Sequence, residues 1–256
     1  WNFGALKFIF RGSMILDLYR WWRNPAIDFK FDSAHPLGCS HHQKIVVIDD
    51  RFAVCGGIDM TAGRWDTPEH KEADLRRRLP FSPRLFGPWH DLTLMVEGDA
   101  ATALGDLGRE RWQQAGGKPM EPCAPQVSSP WPSALKADFH DVEVGISRTR
   151  SRWNTVSEVR EIEALFLEHI ARARRFIYAE SQYFASRVIA EAIAKRMAEP
   201  DPPEIVLINP LTAEGWLEVV AMDGARVRLA HAIKDVDHRD RFRIFVPYNA
   251  AGTPIY

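Results

Sequence analysis

The residues of this chain best placed to do chemistry are His42 and Lys44. They stand two positions apart in Ser40-His41-His42-Gln43-Lys44-Ile45-Val46-Val47-Ile48-Asp49, and Cys55-Gly56-Gly57-Ile58-Asp59 follows. The pattern is H-x-K-x4-D-x6-G-G. In a strand, alternate side chains share a face, so His42 and Lys44 are expected to project together, with Val46 and Ile48 continuing that face into the interior. An imidazole beside an ammonium suits attack on a phosphodiester. That anion resists nucleophiles, so it needs one active at neutral pH and fixed positive charge where the phosphoryl oxygens gather charge in the transition state. Neutral imidazole supplies the first and lysine the second. Asp49 has the wrong parity to share their face and is expected at the turn between strands over 43–48 and 52–55, supporting the site. Gly56-Gly57 lets a backbone bend sharply or approach a ligand closely.

The elements that must position these groups alternate between strand and helix. The first half reads as a strand Ala5 to Phe10, a helix Met14 to Trp22, a strand Ile27 to Phe31, the motif strand pair, a strand Asp91 to Glu97 and a helix Asp99 to Gln114 ending at Ala115-Gly116-Gly117. A long polar segment from Thr61 to Pro88 interrupts it, and loops of that length are usually functional or disordered. Residues 118–137 carry five prolines and read as a linker. The second half gives a strand Val142 to Ile146, then a helix capped by Ser157 with the stripe Val159, Ile162, Leu165, Phe166 and Ile170. A strand Phe176 to Glu180, a helix from Ser186 to Met197, and strands Glu204 to Ile208 and Arg243 to Val246 complete it. Such alternation argues an α/β layered architecture. The domains are then a first repeat over 1–117, the linker, and a second repeat over 138–256. By register with the first repeat, a second H-x-K would begin about two residues past Tyr256, and the start at Trp1 also suggests a piece of a longer protein.

Composition bounds the reading. The chain has 256 residues, of which 46% are hydrophobic, enough for a packed core, and a net charge of −1 that advertises no field for nucleic acid. The three cysteines form neither a CxxC pair nor an even set, which favours a reducing compartment or packing roles. No apolar run reaches transmembrane length.

The stretches HHQKIVVIDD, GGIDMTAGRWDTPEH, PWHDLTLMVEGDAA and AESQYFAS together resemble the phospholipase D superfamily, in the phosphatidylcholine-type branch shared by plants, animals and bacteria. The resemblance implies two α-β-α sandwich repeats with mixed sheets, facing across a pseudo-twofold interface. It implies hydrolysis or transphosphatidylation of phospholipid headgroups through a phosphohistidine, with one histidine attacking phosphorus and another protonating the leaving alcohol. On that pattern His42 is the nucleophile or the acid, the nucleophile being favoured for a first motif, Lys44 binds the phosphoryl oxygens and Asp91 orients a histidine. Asp49 completes the motif. Asp59 stands where many members have Asn, and Glu180 and Gln182 line the pocket. The substrate would be a phospholipid at a membrane surface and the acceptor water or an alcohol, which implies a cytoplasmic or peripheral membrane location. No cofactor is required, since lysine supplies the positive charge. The departure is the missing second motif. Without its acid, catalysis would lose a factor on the order of 10² to 10⁴ unless the chain continues or a homodimer brings two motifs together.

Three other readings stand beside this one. A metal site from His35, Cys39, His41, His42 and Cys55 lacks the tight paired spacings of zinc ligands. A nuclease of the same superfamily shares the chemistry, but the near-neutral charge and the lack of a dense basic stripe count against nucleic acid, and Arg76-Arg77-Arg78 is a short cluster that suits a solvated loop or a headgroup contact. Trp65, Phe81, Leu85, Phe86 and Trp89 would form a membrane-facing lip or part of the core. The third is a non-catalytic relative that keeps the fold.

Overall fold

In the computed structural model, residues 14–79, 82–124, 129–212 and 224–256 are described. The expected strand Ala5 to Phe10 and the lip residue Phe81 lie outside them. The chain divides into two compact units, one of residues 1–58, 92–146 and 150–159, the other of residues 59–91, 147–149 and 160–256. The architecture is mixed α/β with small sheets.

In the first unit, helix α1 (Met14–Arg23) precedes an antiparallel sheet of β1 (Lys44–Ile48), β2 (Phe52–Gly56) and β3 (Thr93–Glu97), ordered β1-β2-β3. The β1–β2 connection is a three-residue hairpin loop whose Asp49 and Asp50 take φ of 51° and 55°. Left-handed backbone is costly for most residues but tolerated by aspartate, so the Asp-Asp pair suits this turn. Helix α2 (Asp99–Gln114) follows Gly98 at φ 79° and packs on the sheet. Its Ala101 and Leu104 meet Ala53, with Ile45, Val47, Cys55 and Val96 around them. Small side chains at 53 and 101 let helix and sheet approach closely.

This packing corrects one expectation. The interior face of β1 carries Ile45 and Val47, while Ile48 on the other face is 49% exposed. The expected strand Ile27 to Phe31 forms no ladder among the described residues; Phe29 instead meets the rings of Trp21 and Phe31 edge-on at 6.1 and 5.8 Å.

In the second unit, the parallel sheet β6 (Phe176–Glu180), β7 (Glu204–Ile208) and β8 (Phe242–Phe245) is ordered β6-β7-β8. Helix α4 (Arg187–Met197) connects β6 to β7, and α5 (Gly224–Lys234) precedes β8. Both pack together, and α3 (Glu161–Arg172) packs on α4. Ile193, Met197, Ile205, Ile233 and Phe242 form the buried centre. Ser186 caps α4 by accepting the Ile189 N–H at 3.4 Å, as its residue type suggests. Ser157 does not cap α3, which starts after Arg160 and the two-residue strands β4 (Thr149–Arg150) and β5 (Val159–Arg160). Of its expected apolar stripe only Ile170 is buried. Val142 to Ile146 forms no ladder among the described residues. No helix among the described residues is long and apolar enough to cross a membrane.

Candidate active site

Three rows cross the antiparallel sheet on the face away from α2, and one of them holds the motif lysine. Lys44 pairs with Gly56 and Gly56 with Thr93, so the three share a face. The glycine is required there. A Cβ at position 56 would lie 2.5 Å from the Leu92 oxygen and from Thr93 Cα. Lys44 Nζ turns back to donate to the His42 carbonyl at 3.0 Å, which sets the ammonium beside the exposed His42 at the entry to β1. Asp49 is exposed in the hairpin turn, off that face as its parity requires.

The opposite face of the same unit carries an open cleft of about 500 Å³, lined by Ile45, Val47, Asp49, Arg109, Arg111 and Trp112 among others. Its two arginines are held internally. Arg109 bonds Asp50 and Asp106, and Arg111 bonds Asp32 and Gln43. Asp50 sits next to the motif aspartate but is buried; hydrogen bonds from Arg109 and the Cys123 N–H hold its carboxyl below the usual range against the effect of burial. His41 packs edge-on against His35, and burial lowers its pKa although Asp32 lies 3.2 Å away. Among the described residues no three or more His, Cys, Asp or Glu side chains are arranged to hold a metal ion.

The second unit gathers a different set. Asp59 lies 3.7 Å from the Arg64 guanidinium. Asp66 is buried: burial works to raise its pKa, but bonds from His70, the Trp89 N–H and the Thr67 N–H, with the charge of Arg77, outweigh it and hold the carboxyl low. Arg77 is 1% exposed and donates to the Lys71 and Glu72 carbonyls, so the middle arginine of Arg76-Arg77-Arg78 is withdrawn from solvent while its neighbours stay exposed. Arg76 instead clasps Asp74, whose carboxyl it pulls down to about 2. Of the expected lip, Trp65 and Leu85 are exposed, while Phe86 and Trp89 are half-buried.

Asp91 is exposed just before β3. Glu180 ends β6, at the carboxyl edge of a parallel sheet, the usual side for ligands in such sheets. Its carboxylate accepts from the Tyr178 hydroxyl at 2.6 Å and His90 Nε2 at 2.8 Å; the Tyr178 bond is the main cause of its lowered pKa, opposed by burial and helped by His90. Gln182 donates to the Tyr256 hydroxyl. Sequence reasoning gives His70 and His90 only the part of surface or hydrogen-bonded core histidines and assigns Asp50 no role beyond its place in the turn. The Asp66–His70 spacing of four residues in Asp66-Thr67-Pro68-Glu69-His70 was the available signal.

A family model described as Phospholipase D matches residues 23–191, a span holding every site residue named above from Asp32 to Gln182. Phospholipase D alpha 1 of Arabidopsis thaliana is 27% identical over 262 residues, covering 81% of this chain and 30% of that protein. Phospholipase D alpha 1 of Carica papaya is 28% identical over 197 residues, covering 57% and 24%. Phospholipase D1 of Saccharomyces cerevisiae is 27% identical over 199 residues, covering 59% and 12%. The chain thus spans less than a third of the length of each of these relatives.

Proposed function

The chain belongs to the phospholipase D family, and on that premise we propose that it carries the nucleophile half of a phosphodiester hydrolase or transphosphatidylase acting on phospholipid headgroups. His42 attacks phosphorus and forms the P–N bond as the P–O bond to the headgroup alcohol breaks. Lys44 binds the phosphoryl oxygens as they gather charge. Asp91 orients an imidazole, Asp59, Glu180 and Gln182 contact the substrate, and Asp49 shapes the turn behind the motif. Water or an alcohol then attacks the phosphohistidine and releases His42. The proton for the leaving alcohol comes from a second histidine, supplied by a further motif in the same protein or by a second copy. Two α-β-α repeats facing one another would bring both histidines to one phosphate. The site is proposed to work at a membrane surface without a cofactor.

The observation that supports this reading most is the row Lys44–Gly56–Thr93, where a glycine that only a missing side chain permits sits beside the motif lysine. The test is His42→Ala in the intact protein, assayed on vesicles of phosphatidylcholine and phosphatidylethanolamine. Headgroup release is expected to vanish, together with the acid-labile phosphoenzyme trapped in the parent. Retained turnover would remove His42 as nucleophile. Cleavage of single-stranded DNA with no lipid turnover would move the substrate to nucleic acid.

A further inference from the structure

The second unit holds two histidines that the proposed chemistry does not use, each seated on its own carboxylate. His70 Nδ1 lies 2.9 Å from Asp66 Oδ2, and His90 Nε2 lies 2.8 Å from Glu180 Oε2. Their rings meet edge to face with centroids 5.6 Å apart. Both carboxylates are held below their ordinary pKa, so they are ionised and only accept hydrogen bonds. The ring nitrogen facing each must therefore carry the proton. Neutral His70 is the Nδ1–H tautomer and neutral His90 the Nε2–H tautomer.

Both pairs close on the segment that leads into Asp91. Asp66 Oδ2 also accepts the Trp89 N–H at 2.8 Å. The His90 N–H donates to the Tyr256 carbonyl at 2.6 Å, and the Tyr256 N–H to the Pro88 carbonyl at 3.2 Å. The Trp89 ring meets the Arg64 guanidinium, 4.0 Å from its centroid, and the Tyr256 ring at 4.4 Å. Main chain and side chains of residues 88–90 are thus held one residue before Asp91, and His90 ties them to the end of β6.

We propose that His90, locked on Glu180 and braced by the Asp66-bound His70, is a positioning residue that holds Asp91 in its working geometry. This rests on the reading above that Asp91 orients a catalytic imidazole. The predicted signature separates positioning from bulk stability. His90→Phe, which loses the donor to Glu180, should lower kcat at least about tenfold with KM changed less than about twofold, because misplacing a catalytic group acts on the transition state. His90→Gln keeps an N–H for Glu180 and should recover kcat to within about threefold of the parent. If the phenylalanine variant does not fold, His70→Leu against His70→Asn repeats the comparison on the bracing residue. Equal loss in both members of a pair, or full activity in the apolar one, overturns the proposal. Imidazole ¹⁵N spectra of the intact parent in mildly alkaline solution provide a readout independent of turnover. They should show His90 protonated on Nε2 and His70 on Nδ1, and the reverse pattern in either ring overturns the clamp. An inactive parent with the expected spectra would instead count against the phosphodiesterase reading and leave the clamp standing.

Discussion

Arg109 Nη1 lies 2.7 Å from both carboxylate oxygens of Asp50, tying the hairpin turn behind the motif to the body of α2. Asp50 also accepts the Cys123 N–H at 2.8 Å, and its carbonyl accepts from the Thr102 hydroxyl at 2.8 Å. The turn is therefore gripped from three directions. Its grip sets how β1 lies on α2, and with it which face of the strand carries Lys44. The aspartate in the motif proper, Asp49, stays at the surface while its neighbour makes these bonds.

Asp50→Ala is expected to cost about 2–3 kcal/mol, less than the loss for a fully enclosed pair because Arg109 keeps some contact with water and with Asp106. Urea unfolding followed by circular dichroism measures it. The sign with pH follows from the lowered carboxyl. Its stabilisation is complete above the unfolded value, near pH 4, and is lost as pH falls through the folded value below it. The parent should thus lose more stability than Asp50→Ala between neutral pH and about pH 3. Parallel acid curves would refute the pairing.

Two helical glycines three residues apart should respond with opposite signs. A Cβ at Gly105 would land on Asp50 Oδ1, which Arg109 holds in place, whereas one at Gly108 meets nothing within 4 Å. Gly105→Ala is expected to destabilise by about 1–3 kcal/mol through overpacking. Gly108→Ala should stabilise by about 0.5–1 kcal/mol through backbone entropy. Thermal melts of both variants check the contrast.

Lys44→Gln removes the charge but keeps a polar side chain of similar reach. Headgroup release by the intact protein should fall on the order of 10²- to 10³-fold in kcat, the loss typical of one transition-state donor. The melting temperature should move little, since Lys44 lies off the face packed against α2. Normal turnover in this variant would contradict the role assigned to the lysine.

Asp66→Ala strips the acceptor from the Trp89 and Thr67 N–H groups and leaves buried Arg77 without its carboxylate. A stability loss of about 3 kcal/mol is expected from orphaned buried donors and an uncompensated charge. Hydrogen exchange at the Trp89 amide should accelerate in the variant relative to amides of β6. Unchanged exchange there would show that another group holds the segment.

Much of the fold was legible where the signal is local. Phe176–Glu180, Glu204–Ile208 and Asp99–Gln114 form as their apolar period and bounding residues indicate, and Ser186 caps its helix. Ile27 to Phe31 and Val142 to Ile146 carry the same alternation yet join no ladder among the described residues, since a strand exists only when a distant segment supplies the other half of its hydrogen bonds. Likewise Arg76-Arg77-Arg78 looks uniformly solvated as a string, while the loop folds around the middle arginine and buries it.

By itself the order of residues determined that a histidine stands two positions before a lysine, the hairpin behind them and the family to which the chain belongs, because those depend on chemical type and short-range geometry. Which face of β1 meets α2, which of two adjacent aspartates bears the ion pair, and which histidine sits on which carboxylate were decided only when the chain folded. Those choices depend on groups tens of residues apart reaching hydrogen-bond distance, and no local pattern encodes that distance.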